Sequence, residues 1–310
     1  VSATTTRSGR PRLSDRAKEE RRLGWKLAGP AFVIMILVTF YPILQAVYTS
    51  LFQYRLTDPG SRQFVLFENY LIVLRDPLWW QAFGTTALIT VITVVVELVL
   101  GFLIALAMAK VLDGRGLLRT IVLIPYSIIT VVSAFSWLYA FATDTGFVDP
   151  LLNSLTFGIF PKDFDWFGDF WASMVPICVS EIWKTTPFMS LLLLAGLTQI
   201  DSAMEEAAIV DGATWGERMR RVVLPNMKSA IMVALLFRTL DAFRIFDNIF
   251  IMTGGSHDTA SLSLVAYNQT ISRTEVGLGS AVSVLLFLCV VVIAVIFVRG
   301  FRVDLAQGRR

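Results

Sequence analysis

The sequence predicts an all-α polytopic membrane protein with six transmembrane helices, and three observations carry that prediction. The 310 residues are 55% hydrophobic and only 16% charged, with mean hydropathy +0.66, whereas soluble domains carry about a quarter charged residues. Six apolar runs, at 27–51, 82–109, 120–142, 171–197, 229–252 and 278–298, are long enough to cross a hydrocarbon core of about 30 Å at about 1.5 Å per residue. Basic residues outside those runs divide nineteen to five between the two sets of alternate loops, which orients the chain with its basic side in the cytoplasm.

The first run follows Arg7, Arg10, Arg12, Arg16, Lys18, Arg21, Arg22 and Lys26. It is too long for a signal-peptide core and no small-residue cleavage site follows it, so it reads as an uncleaved first span. Residues 1–13, rich in Ser, Thr, Arg and Gly, are expected to be disordered, and residues 14–26 to form a cytosolic helix near lipid head groups. These arginines suit membrane lipids rather than nucleic acid. Lys110, Arg115 and Arg119 follow the second run; Arg218, Arg220, Arg221 and Lys228 follow the fourth; Arg299, Arg302, Arg309 and Arg310 follow the sixth. The opposite loops hold only Arg55, Arg62, Arg75, Lys162 and Arg273. Both termini and the loop at about 199–228 therefore face the cytoplasm. The domain reading is a segment 1–26, a six-span membrane domain 27–300 and a tail 301–310, without internal repeat, low-complexity tract or second soluble domain.

Several chemistries are not suggested. Cys178 and Cys289 lie in separate apolar runs and read as packing residues. His257 has no ligand partners at metal spacing, so no metal site is expected. The chain has no G-x-x-x-x-G-K-[ST] phosphate loop, so any ATP and Mg are used by a partner and no cofactor is expected on this chain.

The most distinctive stretch is polar and lies between the fourth and fifth runs. Ser202 with Glu205, and Thr214 with Glu217, have capping-box spacing, which predicts two short helices. Gly212, after Asp211, supplies the positive φ that ends the first, and Pro225 stops the second helix or opens the next. The residues alone also allow an amphipathic pair lying on the membrane surface.

On the other side, the loop 143–170 carries Asp144, Asp149, Asp163, Asp165 and Asp169 with Phe164, Trp166 and Phe167 interleaved. It can touch a protein outside the membrane, or be a solvated loop with interfacial aromatics.

Charges inside the runs require partners or a cavity. Glu181, Lys184, Thr185 and Phe188 share one helical face, as do Arg238, Asp241, Ile245 and Asn248. Glu181 with Lys184, and Arg238 with Asp241, can equally be internal ion pairs. Arg244 is a further charge, Trp137 and Tyr126 are cavity aromatics by type, and Glu97 has no evident role.

The order Glu206-Ala207-Ala208, three residues, Gly212, nine residues, Val222, one residue, Leu224-Pro225 resembles the cytoplasmic coupling motif of permease subunits in bacterial ATP-driven importers. The resemblance implies that Glu205, Glu206, Ala207, Ala208, Asp211, Gly212, Leu224 and Pro225 engage an ATPase. Glu206 would meet its basic groups, Ala207 and Ala208 would permit close packing, and Gly212 would form the elbow. Tyr41-Pro42, Phe67-Glu68-Asn69-Tyr70, Asp76-Pro77, Trp80, Pro125-Tyr126 and Thr253-Gly254-Gly255 resemble the maltose-type and glycerol-phosphate-type sugar permeases of that family. The family commonly has Asn at Gly84 and Pro at Ser256. The chain resembles above all the trehalose-importing branch, which implies trehalose as cargo, a bacterial plasma-membrane location, a second homologous permease, an ATPase dimer and a lipid-anchored extracytoplasmic binding protein. It also implies that Glu181, Lys184, Thr185, Phe188, Arg238, Asp241, Ile245 and Asn248 line the sugar path. The competing classes are an ion-gradient transporter using Glu97, Glu181 and Asp241 as proton or cation sites, and a non-transporting membrane scaffold.

Overall fold

The computed structural model describes residues 15–110 and 114–300. The expected disordered segment 1–13 and the tail 301–310, with Arg302, Arg309 and Arg310, lie outside the described residues. Helix α1, Asp15–Ser50, is continuous through Pro30 and Pro42, so the expected cytosolic helix and first span are one element. The all-α expectation then meets an exception. Strands β1, Phe52–Arg55, and β2, Asp58–Phe64, form an antiparallel hairpin with Phe52 opposite Phe64. It docks on the start of the last helix at Gly277, where a Cβ would collide with the Phe52 carbonyl oxygen.

Helices α2, Glu68–Arg75, and α3, Pro77–Lys110, follow. The third expected span is broken. Helix α4, Arg115–Ser127, meets α5, Thr130–Ala140, at 85°, because Ile128 and Ile129 are extended, with ψ of 136° and 135°, just after a turn in which Pro125 cannot donate. Helix α6, Val148–Leu155, precedes α7, Phe170–Leu197, whose first turn is capped by Asp169 accepting from the Ala172 N–H at 3.0 Å.

Beyond α7 come α8, Ser202–Val210, and α9, Trp215–Arg218, which runs through a π turn, Met219–Val223, into α10, Leu224–Asn226. The fifth expected span is interrupted: α11, Lys228–Ala242, is only 15 residues long and is separated by residues 243–246 from α12, Asp247–Met252. Helix α13, Leu262–Tyr267, and a π turn, Asn268–Ser272, lead to α14, Val276–Gly300. Among the described residues, parts of α1, α3, α7 and α14 are long and apolar enough to cross a membrane, and the bent α4–α5 pair makes a fifth candidate. The described chain is thus mostly helical and polytopic.

The centre is the α3–α7 contact. At Gly101 an added Cβ would lie 2.8 Å from Met189 Cγ and 3.2 Å from the Ser190 nitrogen, so the two helices touch backbone to side chain there. One buried cluster, including Ile89, Ile177, Ile249 and Leu262, lies to one side of this contact; another, including Met108, Met189, Leu193 and Met227, lies to the other. The outer helices have no such cover. None of the apolar window of α1 and 17% of that of α14 is buried, surfaces suited to lipid or a partner helix.

Candidate functional site

Three helices bring charge together beside the central contact. Arg238 of α11 is fully buried, and its guanidinium is the hub. Nη2 donates to Glu97 Oε1 of α3 at 2.9 Å and to Glu181 Oε1 of α7 at 2.7 Å. Nη1 donates to Asp241 Oδ2 at 2.8 Å, and Nε donates to Glu97 Oε2. Four of its five N–H donors are thereby used, which is how a charge is retained at such depth. Asn248 of α12 donates from Nδ2 to the other Glu181 oxygen at 2.8 Å. Thr185 Oγ1 lies 2.8 Å from Glu97 Oε1 and 2.6 Å from the Glu181 carbonyl oxygen, so its one proton serves either.

Glu97, which has no role at the sequence level, is thus the anchor of Arg238, paired across 141 positions of chain that no local pattern connects. The pairing of Arg238 with Asp241 is present, but that of Glu181 with Lys184 is not. Lys184 Nζ donates 2.8 Å to the Ile128 carbonyl, which the α4–α5 break leaves outside either helix, and lies 5.7 Å from the Tyr126 ring centroid. Tyr126 stacks on Phe188, with centroids 5.4 Å apart and planes 14° apart.

A cavity of about 430 Å³ opens in front of this cluster, walled by Tyr126, Thr130, Glu181, Lys184, Thr185, Asp241, Arg244, Ile245, Phe246, Asp247 and Asn248. Of the eight residues expected along a sugar path, six line it. Arg238 stands behind the wall and Phe188 behind Tyr126. Asp241, with 61% of its side chain exposed, keeps free lone pairs toward the opening. Trp137 packs on Trp183 and Phe141 instead of lining the cavity. A volume in the range of about 300–1,000 Å³ with convergent acceptors, donors and an aromatic face suits a polyhydroxylated molecule.

The polar element after α7 is held by local chemistry. Asp201, not Ser202, caps α8, accepting from the Ala203 N–H at 3.0 Å, so the expected cap moves by one residue. Gly212 has φ +76°, its N–H donates to Ile209 O at 3.0 Å, and the Ala213 N–H reaches Ala208 O at 2.9 Å, a glycine-terminated turn that satisfies two helix-end carbonyls. The expected capping box is present: Thr214 Oγ1 accepts from the Glu217 N–H and the Glu217 carboxylate accepts from the Thr214 N–H at 2.9 Å. Those backbone and side-chain bonds from Thr214 hold the Glu217 carboxyl below its ordinary range. Pro225 opens α10. Glu205 and Ala208 are half-buried, while Glu206, Ala207, Asp211, Gly212, Leu224 and Pro225 are exposed. Ile209 at 54% and Val210 at 86% exposure add an apolar patch to the outer face of α8.

In the loop 143–170 the aromatics fold inward. Trp166 is buried, donating from Nε1 to Asp149 Oδ1 at 2.6 Å, with Phe160, Phe164 and Phe141 around it.

The family model described as "Binding-protein-dependent transport system inner membrane component" matches residues 97–303. The chain is 48% identical over 282 residues to the trehalose transport system permease protein SugA of Mycobacterium tuberculosis, covering 91% of this chain and 89% of that protein. It is 36% identical over 282 residues to the trehalose/maltose transport system permease protein MalF of Thermococcus litoralis, covering 90% and 94%. Among solved structures, a chain of a bacterial ABC transporter involved in the import of the acidic polysaccharide alginate is similar, with TM-score 0.75 and 20% identity over 94% of this chain and 100% of that one.

Proposed function

Because the chain belongs to the inner membrane components of binding-protein-dependent transport systems, we propose that it carries trehalose through the cavity in front of Arg238. It is a permease subunit of an ABC importer, multi-pass in the inner membrane, and ATP hydrolysis belongs to a separate subunit. The observation that carries the proposal is the grouping of Glu181, Lys184, Thr185, Asp241, Ile245 and Asn248 around one opening. Carboxylates accept from pairs of sugar hydroxyls, Lys184 and Asn248 donate, and Tyr126 offers a ring face to the apolar side of a pyranose. Arg238 and Glu97 hold those groups in place without touching the cargo.

What supports trehalose is the identity to two permeases whose names carry that sugar. In this reading six spans, the fifth made of α11 and α12 together, place both termini in the cytoplasm. A homologous second permease closes the other half of the path, and a lipid-anchored binding protein delivers the sugar. The 199–228 element docks on an ATPase dimer that uses ATP and Mg, with Glu206 and the Ile209–Val210 patch outward, Ala207 and Ala208 allowing close approach, and Asp211-Gly212 as the elbow ahead of Leu224-Pro225. Closure of the ATPase then drags these elements together and turns the spans, so that access to the cavity alternates.

The test is uptake of labelled trehalose, with excess maltose as competitor, by cells lacking the gene and complemented with wild type, Glu206→Lys or Asp241→Ala. Only wild type is expected to restore uptake, with all three proteins inserted at equal levels. Uptake that never depends on the gene refutes the sugar; full uptake by Asp241→Ala refutes the path.

A further inference from the structure

A second cavity, of about 250 Å³, lies on the basic side of the molecule where the spans meet the coupling element. Its walls include Leu106 and Lys110 of α3, Glu205 of α8, Trp215 and Arg218 of α9, and Val223 of the π turn. Two cations face one carboxylate. Arg218 is half-buried, and its Nε is sealed from solvent with no hydrogen-bond partner. Neither Arg218 nor Lys110 is in an ion pair among the described residues. A buried guanidinium nitrogen left open is costly unless something accepts from it, and the group that matches a guanidinium beside an ammonium is a phosphate.

The position says where that phosphate comes from. Helix α3 has 34 residues, about 50 Å of rise, against about 40–45 Å for a bilayer including its head groups. Its apolar run ends at Ala109 and is followed by Lys110, so its last turn, with Leu106 and Lys110, is placed at head-group level on the basic side. Trp215, 56% exposed, has the amphipathic character of side chains at that level. Leu106 and Val223 supply an apolar flank for the start of an acyl chain. The exposed outer face of α8 carries Glu206, whereas Glu205 turns into the cavity, so this pocket and the face offered to a protein partner are different sides of the element.

We propose that this cavity binds the phosphate head group of an anionic phospholipid from the cytoplasmic leaflet, tying the elbow of the coupling element to the membrane surface. The probe is phosphatidylglycerol against phosphatidylcholine, retained by the intact purified transporter and counted by native mass spectrometry. Lys110→Gln and Arg218→Gln are each expected to lower the preference for phosphatidylglycerol about fivefold, and the pair about 25-fold. Arg218→Lys is expected to keep most of it, and Arg220→Gln, one exposed arginine away and off the cavity wall, to leave it unchanged; both also report that the transporter still assembles. Inorganic phosphate is the soluble arm. The proposal is overturned if the double variant retains phosphatidylglycerol like wild type or if Arg220→Gln lowers the preference as much as Arg218→Gln. It is equally overturned if inorganic phosphate binds with the same dependence on Arg218 and Lys110 while lipid does not. Loss of the lipid whenever the ATPase dimer is bound overturns it too, because the cavity is then a protein contact.

Discussion

The Arg238 cluster and the 199–228 element are both polar insertions in an apolar chain, yet they are held together in opposite ways. In the cluster, groups from α3, α7, α11 and α12 satisfy one another across the fold, and the hub is sealed from solvent. In the 199–228 element each end is satisfied by residues two to five positions away, and α8 and α9 bury no residue. A charge in a low-dielectric interior needs its partner brought to it, so the cluster couples the helices that carry it. A helix end in water needs only a cap, so the element keeps its shape while its outer face stays exposed.

The sharpest way to break the contrast is Arg238→Ala, which strands Glu97 and Glu181 in the interior. It is expected to cost about 3–5 kcal/mol, read as loss of folded protein in detergent during graded denaturation, with insertion yield falling in parallel. Next comes Gly212→Pro. It forces φ to about −65° where the turn needs +76° and deletes the bond to Ile209 O, a cost of about 3 kcal/mol or more confined to the elbow. Insertion and the cavity in front of Arg238 are expected to survive while uptake is lost; normal uptake would show that the elbow is not needed. Thr214→Ala removes one cap and is expected to cost about 1 kcal/mol, seen as faster amide exchange at residues 215–217 with the cluster unaffected.

The smallest effect is a pH dependence in the same turn. Because the Glu217 carboxyl is held below its ordinary range by Thr214, its contribution is present above the unfolded carboxylate value and is lost as pH falls through the lower folded one. Exchange at the Thr214 amide, which donates to the Glu217 carboxylate, is expected to lose protection on acidification in wild type and to lose that dependence in Glu217→Gln.

The same contrast explains what could be read from the chain. Gly212, the Thr214–Glu217 box and Pro225 are visible in sequence because their partners lie within a few residues. The cap read at Ser202 is instead Asp201, one residue earlier, whose carboxylate reaches the Ala203 N–H first. The helical face bearing Glu181, Lys184, Thr185 and Phe188 is equally visible, since helical period aligns it on one continuous helix; the single face expected for Arg238, Asp241, Ile245 and Asn248 is not found, because the chain breaks at 243–246, leaving Ile245 in the break and Asn248 on α12. The pairing of Arg238 with Glu97 is not visible either, because no local pattern links positions 141 apart. Nor could Lys184 be separated from Glu181 without the α4–α5 break that frees the Ile128 carbonyl. The β1–β2 hairpin escaped notice because its two strands are short and its dock, Gly277, lies in another element. Hydropathy likewise placed the apolar runs but not the breaks after Ser127 and Ala242, which depend on how the flanking helices pack.

The most direct measurement is the amount of trehalose moved per ATP hydrolysed by the reconstituted transporter, compared between Asp241→Ala and Glu206→Lys. If the cavity carries the sugar and the outer face of α8 carries the coupling, Asp241→Ala keeps binding-protein-stimulated hydrolysis but moves far less sugar per ATP, whereas Glu206→Lys loses hydrolysis and transport together. Wild-type stoichiometry in Asp241→Ala, or full stimulated hydrolysis and transport in Glu206→Lys, would contradict that division of labour.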